Sequence, residues 1–155
     1  MSETVFLTIK KLLDQHSFSY DIMDHAPTPT SADAARVRGT KAEEGAKAMI
    51  LRSKGNFFMC VLPGTEKIDL NNVRIIIDNK SVSFATPEEV KTITDCDVGS
   101  VPPFGNLFNI PLYVDKSLLR NEYISFNAGL VTRSIRMKKE DYLTVVDCVI
   151  EHFVL

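Results

Sequence analysis

No apolar stretch in this 155-residue chain approaches the ~20 residues that a membrane-crossing helix requires. The opening Met1-Ser2-Glu3-Thr4 leads into an amphipathic segment carrying Lys10 and Lys11, without the basic-then-apolar order of a secretory signal. Both absences argue against a membrane partner and for a cytoplasmic location. Cysteine is scarce: Cys60, Cys96 and Cys148 are odd in number, far apart and outside any Cys-x-x-Cys spacing, which argues against a zinc site or a disulfide framework. They read instead as small buried or half-buried thiols. The chain lacks internal repeats, low-complexity stretches and linkers, and it has no glycine fingerprint of a dinucleotide-binding fold. Excess charge is missing too. A net charge of −2 argues against a protein that coats nucleic acid through bulk charge, although an average can hide a local patch.

What is present is the composition of one globular domain over residues 1–155, with 45% hydrophobic and 25% charged residues. A chain of this length buries roughly two-thirds of the surface its unfolded form exposes. The basic residues are concentrated: Arg36, Arg38, Lys41, Lys47, Arg52 and Lys54 face only Glu43 and Glu44 in the same stretch, and Arg133, Arg136, Lys138 and Lys139 form a second cluster. By charge alone these are solvated faces or the rim of an anionic partner's site.

Val5, Phe6, Ile9, Leu12 and Leu13 recur at helical spacing and predict a first helix. Phe18, Tyr20 and Ile22 alternate with polar neighbours as a half-buried strand does, and Ala26-Pro27-Thr28-Pro29 breaks the pattern. Thr30 or Ser31 is placed to cap a short helix running through Val37, with Gly39 ending it. Residues 46–53 and 57–62 predict a hairpin around Lys54-Gly55-Asn56. Leu70 to Ile77 fits a strand by its β-branched content and a helix by its spacing. Val82 and Phe84 make a short strand, and Thr86-Pro87-Glu88-Glu89 supplies a cap, a first-turn proline and a capping-box glutamate. Leu112 and Val114 suggest a strand. Two more follow, over Tyr123–Asn127 and Thr132–Met137, around Ala128-Gly129. Lys138-Lys139-Glu140-Asp141 then opens a last helix whose buried stripe is Tyr142, Leu143, Val146, Ile150 and Phe153. Helices and strands are interspersed, which makes the class α+β.

Two segments look chemical. In Gly45-Ala46-Lys47-Ala48-Met49-Ile50-Leu51 a lysine starts a run that otherwise reads as buried strand. Alternation puts Lys47 on one face with Met49 and Leu51, so its charge is poorly solvated unless it meets an anion or snorkels to the rim. In Gly99-Ser100-Val101-Pro102-Pro103-Phe104-Gly105 the two prolines fix the backbone and the glycine permits close approach. The amides of Gly99, Ser100 and Val101 can donate to an anion, and those of the prolines cannot. This loop is an oxyanion site or a plain structural turn.

Together with Arg38-Gly39-Thr40, Ala85-Thr86-Pro87-Glu88-Glu89-Val90, Phe126-Asn127-Ala128-Gly129 and Ser134-Ile135, these segments resemble the YbaK/ProX family of aminoacyl-tRNA deacylases. That family includes the editing insertion domain of bacterial prolyl-tRNA synthetases. The resemblance spans nearly the whole chain. It implies a mixed sheet curled into a partly closed barrel surrounded by helices, and it favours the helix for Leu70–Ile77. It also implies a stand-alone trans-editing hydrolase that cleaves the ester of a mischarged tRNA carrying a small amino acid, with water as nucleophile and no metal or organic cofactor.

On that reading Lys47 anchors the terminal nucleotide or the ester, and Gly99 and Ser100 offer catalytic amides. Met49, Val101, Pro102, Asn127, Ala128, Gly129 and His25 shape the substrate pocket, while Arg36, Arg38, Arg52 and Lys54 hold the tRNA. Some alanine-specific relatives carry histidine where Asn127 stands, and an asparagine amide can read a hydroxyl, which favours serine or threonine over alanine or cysteine. His16 and His152 read as surface residues, and no histidine near Ser100 in sequence suggests a nucleophilic triad. The partners implied are the acceptor end of mischarged tRNA and, as a second candidate, an aminoacyl-tRNA synthetase. Two rivals stay open: a non-catalytic tRNA-end or synthetase-binding module, and an enzyme in which Lys47 forms a Schiff base.

Overall fold

The structure is a computed structural model that describes residues 2–27 and 31–155. The capping expected of Thr30 or Ser31 falls outside the residues and side chains described. Helix α1 (Ser2–Gln15) buries Val5, Phe6, Ile9 and Leu13, the stripe its spacing predicts. Strand β1 (Tyr20–Asp24) follows, then α2 (Ser31–Arg38), β2 (Ala46–Ser53) and β3 (Asn56–Pro63). Helix α3 (Leu70–Ile76) is capped by the Asp69 carboxylate, which accepts from the Asn71 and Asn72 amides. Strand β4 (Ser83–Phe84) leads into α4 (Pro87–Thr94), whose Thr86–Glu89 capping box is fully formed. The remaining elements are β5 (Leu112–Asp115), β6 (Tyr123–Leu130), β7 (Arg133–Lys138), α5 (Lys139–Val145) and β8 (Val149–Glu151).

The strands form two sheets rather than one curled sheet. An antiparallel sheet runs β1-β7-β6. A mixed sheet runs β4-β2-β3-β5-β8, with β3, β5 and β8 mutually parallel. They meet at a bridge between Gly45 and Ser125. The α+β class holds, and no closed barrel is found among the described residues.

The β2–β3 hairpin pairs Ser53 with Asn56 across Lys54 and Gly55, both at positive φ (49° and 80°), as a two-residue turn requires. Strand β3 is covered on both faces. Met59 and Val61 enter the main core with Phe104, Phe126 and Ile135, while Phe58, Cys60 and Leu62 enter a second core with Val73, Val82 and Phe153. That is why 57–62 reads as an unbroken apolar run. Burial pushes the Cys60 thiol up to about 12, so it packs as a small apolar group.

Two expectations are corrected. The last helix stops at Val145, because the β-branched Val146 turns extended and Val149–Glu151 pairs with the open edge of β5. Ile150 is consequently exposed rather than part of a helical stripe, while Tyr142 and Phe153 are buried as expected. Strand β1 is less covered than its alternation suggests: it begins at Tyr20, and Ile22 is 40% exposed.

The segment after Gly99 is tied to the main core by an aromatic trio. The buried Phe104 ring meets Phe126 and Tyr142 edge-on at 5.4 and 5.5 Å, and the Tyr142 hydroxyl donates to the Pro103 carbonyl at 2.6 Å. Behind them Gly105 is irreplaceable for space: a Cβ there would lie 2.8 Å from the Ile110 carbonyl oxygen. Tyr142→Phe leaves that buried carbonyl unpaired and is expected to cost about 1–3 kcal/mol, read as a lower midpoint in urea with an unchanged slope.

Candidate active site

A half-open cavity of about 370 Å³ lies where β2, α4 and the 98–101 loop converge. Strand β4 pairs with β2 only at Leu51 and Arg52, so the edge of β2 over residues 46–49 has no β4 neighbour and forms one wall. Pro87 and Val90 of α4 form the second wall, and Val98, Gly99 and Val101 the third. Phe84 and Val98, exposed by 45% and 61%, stand on the lining as apolar groups open to solvent.

Lys47 is the single charged side chain among the described residues of the lining. Its Nζ donates to the Glu66 carbonyl at 2.6 Å, and burial pulls its pKa below the ordinary lysine value, partly offset by the Glu66 carboxylate. A cation against apolar walls is less screened than one in bulk water and is able to act on an anionic or developing negative oxygen.

On the opposite wall Gly99 sits at φ +92°, and a Cβ there would meet open space, so glycine is needed for the backbone conformation rather than for room. Among the described residues the Gly99 and Val101 amides have no hydrogen-bond partner. The Ser100 amide does. It donates to the Asp97 carbonyl at 3.0 Å, and the Ser100 hydroxyl donates to the same oxygen at 2.8 Å. Ser100 is buried behind the loop, which removes it both as an amide donor and as a nucleophile.

The structure thus brings Lys47, Met49, Gly99 and Val101 together on one cavity, as the sequence suggests. It places the other expected pocket residues elsewhere. Pro102 is buried, with its carbonyl accepting from the Phe104 amide at 2.8 Å. Asn127, Ala128 and Gly129 belong to β6 and lie outside the lining; the Asn127 amide is engaged by Arg38, Ser134 and Gly99. His25 has one ring nitrogen 2.7 Å from the Ser134 hydroxyl and the other 2.9 Å from the Ala26 carbonyl.

The expected tRNA-facing cations divide. Arg38 is turned inward, and burial lowers its pKa. Arg36 pairs with Asp33 at 2.6 Å but stays exposed, Arg52 pairs with Glu89 at 2.9 Å beside the α4 wall, and Lys54 is exposed at the hairpin tip. In the second basic cluster Arg133 is paired with Asp24 and Glu3, and Arg136 with the buried Glu44. Sequence reasoning did not single out the α4 wall or Phe84. The available signal was position: Phe84 and Pro87 flank the capping threonine, and Val98 precedes Gly99.

A family model described as "Aminoacyl-tRNA editing domain" matches residues 25–145, which contain the whole cavity lining. The chain belongs to the aminoacyl-tRNA editing domain family. Likeness over most of the chain accompanies that match. This editing domain is 31% identical over 139 residues to the multifunctional Ser/Thr-tRNA deacylase ProXp-y of Escherichia coli K12, covering 86% of this chain and 83% of that protein. It is 23% identical over 140 residues to the prolyl-tRNA editing protein ProX of Acetoanaerobium sticklandii, covering 86% and 85% of the two chains. A solved structure described as a candidate trans-editing enzyme for prolyl-tRNA synthetase superposes with a TM-score of 0.86 at 20% identity, covering 97% of each chain, which supports the editing-domain fold.

Proposed function

We propose that this protein is a stand-alone trans-editing hydrolase that cleaves the ester of mischarged tRNA, with seryl- and threonyl-tRNA as preferred substrates. The observation that carries the reading is the pairing, across one small apolar cavity, of the Lys47 ammonium with two unengaged amides, Gly99 and Val101. An aminoacyl ester is already activated, so its hydrolysis asks mainly for a positioned water and for donors aimed at the oxyanion that develops on the carbonyl. Lys47 holds the terminal nucleotide or the ester from the β2 side. The loop amides receive the oxyanion from the other, and water supplies the nucleophile. On this reading the exposed Arg36, Arg52 and Lys54 meet phosphates of the acceptor end, which their exposure supports.

Serine and threonine are favoured because the relative at 31% identity is named for them. The wall chemistry limits how sharp that preference can be. An apolar pocket separates side chains that differ by one hydroxyl or methyl group by only about 10–200-fold. Purified protein incubated with tRNAs mischarged with serine, threonine, alanine and cysteine is therefore expected to release serine and threonine fastest and alanine more slowly within that range. Loss of no ester above the protein-free blank overturns the hydrolase reading and leaves a binding module of the same fold. Alanine released ahead of serine and threonine overturns the substrate assignment alone.

A further inference from the structure

Beside the loop wall of the cavity, three polar side chains, Arg38, Asn127 and His25, converge on the fully buried Ser134 of β7. Arg38 donates through Nε to the Ser134 hydroxyl at 2.9 Å and through Nη2 to the Asn127 side-chain carbonyl at 3.1 Å. The Ser134 hydroxyl donates to the same Asn127 oxygen at 3.2 Å, and His25 approaches Ser134 at 2.7 Å. The Asn127 amide nitrogen then donates to the Gly99 main-chain carbonyl at 2.7 Å. A guanidinium can only donate, so it dictates which way the Asn127 amide faces: the oxygen must point to Arg38 and the nitrogen must point to Gly99. Two residues on, β6 bulges between Asn127 and Leu130. Gly129, at φ +89°, turns its amide onto the Ser100 carbonyl at 3.0 Å.

These two bonds pull consecutive carbonyls, Gly99 and Ser100, toward β6. In a trans peptide the N–H lies opposite the C=O of the same plane. Drawing in the Ser100 carbonyl therefore turns the Val101 N–H away from β6, toward the cavity that Val101 lines. Drawing in the Gly99 carbonyl turns the Ser100 N–H onto Asp97, where it is found. We propose that Arg38 and Asn127 are positioning residues that fix the Gly99–Ser100 peptide plane, as the Gly129 amide fixes the next one, and so hold the loop with its free Val101 amide aimed at the reacting carbonyl. The proposal rests on the hydrolase reading for its kinetic consequence but not for its structural one. It also gives Asn127 a task other than reading a substrate hydroxyl.

The discriminating substitution is Asn127→Asp. An aspartate keeps acceptors for Arg38 and Ser134, so the cluster survives, but it loses the donor to Gly99 and sets a carboxylate against that carbonyl. With seryl- and alanyl-tRNA, the turnover number of Asn127→Asp is expected to fall at least tenfold by the same factor for both, with Michaelis constants within twofold of wild type. The Ser100 amide, protected by Asp97 in the wild type, is expected to exchange with deuterium at least tenfold faster in the variant, while amides of β2 and β3 are unchanged. A change in the serine-to-alanine ratio without change in Ser100 exchange would show that Asn127 reads the substrate and would overturn the proposal. Wild-type turnover and exchange in Asn127→Asp would overturn it as well. Should that variant fail to fold, Arg38→Lys decides. Lysine keeps the charge but cannot fork between Ser134 and Asn127, and unchanged Ser100 exchange there is equally fatal. If wild-type protein shows no turnover at all, the hydrolase reading fails, and the exchange measurement still decides whether the clamp exists.

Discussion

Lys47→Ala is expected to lower the turnover of seryl-tRNA by about 10²–10³-fold, the loss typical of removing one preorganised donor to a developing oxyanion. Little stability should go with it. The Lys47 head makes a single bond to a main-chain carbonyl and its desolvation opposes the charged state, so folding gains little from the ammonium. A thermal midpoint within a few degrees of wild type, together with the loss of turnover, assigns the effect to the site. Wild-type rates in the variant would remove Lys47 from the mechanism. The same cation sets an alkaline limit. Its pKa lies below the ordinary lysine value because of burial, and the active form is the protonated one, so turnover falls as pH rises through that lowered value. Rates corrected for spontaneous ester hydrolysis should therefore decline at a pH below that at which an exposed lysine would deprotonate. A rate that holds constant to the exposed-lysine range would mean that the ammonium charge is not used.

What the sequence disclosed, and what it hid, follows from the range of the forces involved. The Thr86–Glu89 capping box, the Lys54-Gly55 turn and the α1 stripe are each decided within a few residues of chain, and each is found where local chemistry puts it. Lys47 and Gly99, which line one cavity, stand out in the sequence for a similar reason: a lysine opening an apolar strand and a glycine before two prolines are locally odd. The last helix failed because Tyr142, Val146 and Phe153 satisfy helical spacing, while the open β5 edge that captures Val149–Glu151 is a property of the assembled sheet. The surroundings of Arg38 and Asn127 stayed hidden on the same ground. By type the first resembles a phosphate contact and the second a hydroxyl reader. Only the meeting of α2, β6 and β7 around Ser134 shows that both are turned inward. Residue type announces which chemistry a side chain can perform, and tertiary contact decides on whom it is performed.

The largest loss of stability is expected from Phe104→Ala. The Phe104 ring is fully buried between Phe126 and Tyr142, and truncation removes its own transfer free energy, two edge-on aromatic contacts and the floor under the Pro103 carbonyl. Such a change costs about 3–5 kcal/mol, a large share of the ~5–15 kcal/mol that holds a domain together. With an m-value of about 2 kcal/mol per molar urea, the midpoint should drop by about 2 M. Phe104→Leu retains most of the volume and is expected to lose much less, because the site is then repacked rather than emptied. The position also matters for catalysis. Phe104 is the first residue after the prolines, and its burial holds the C-terminal end of the loop whose other end is clamped to β6 at Asn127 and Gly129. In the folded fraction of Phe104→Ala at low temperature, turnover should therefore fall while tRNA binding persists, since the amides of Gly99 and Val101 lose one of their two anchors. Full turnover in that fraction would show that the β6 contacts alone suffice to hold the loop.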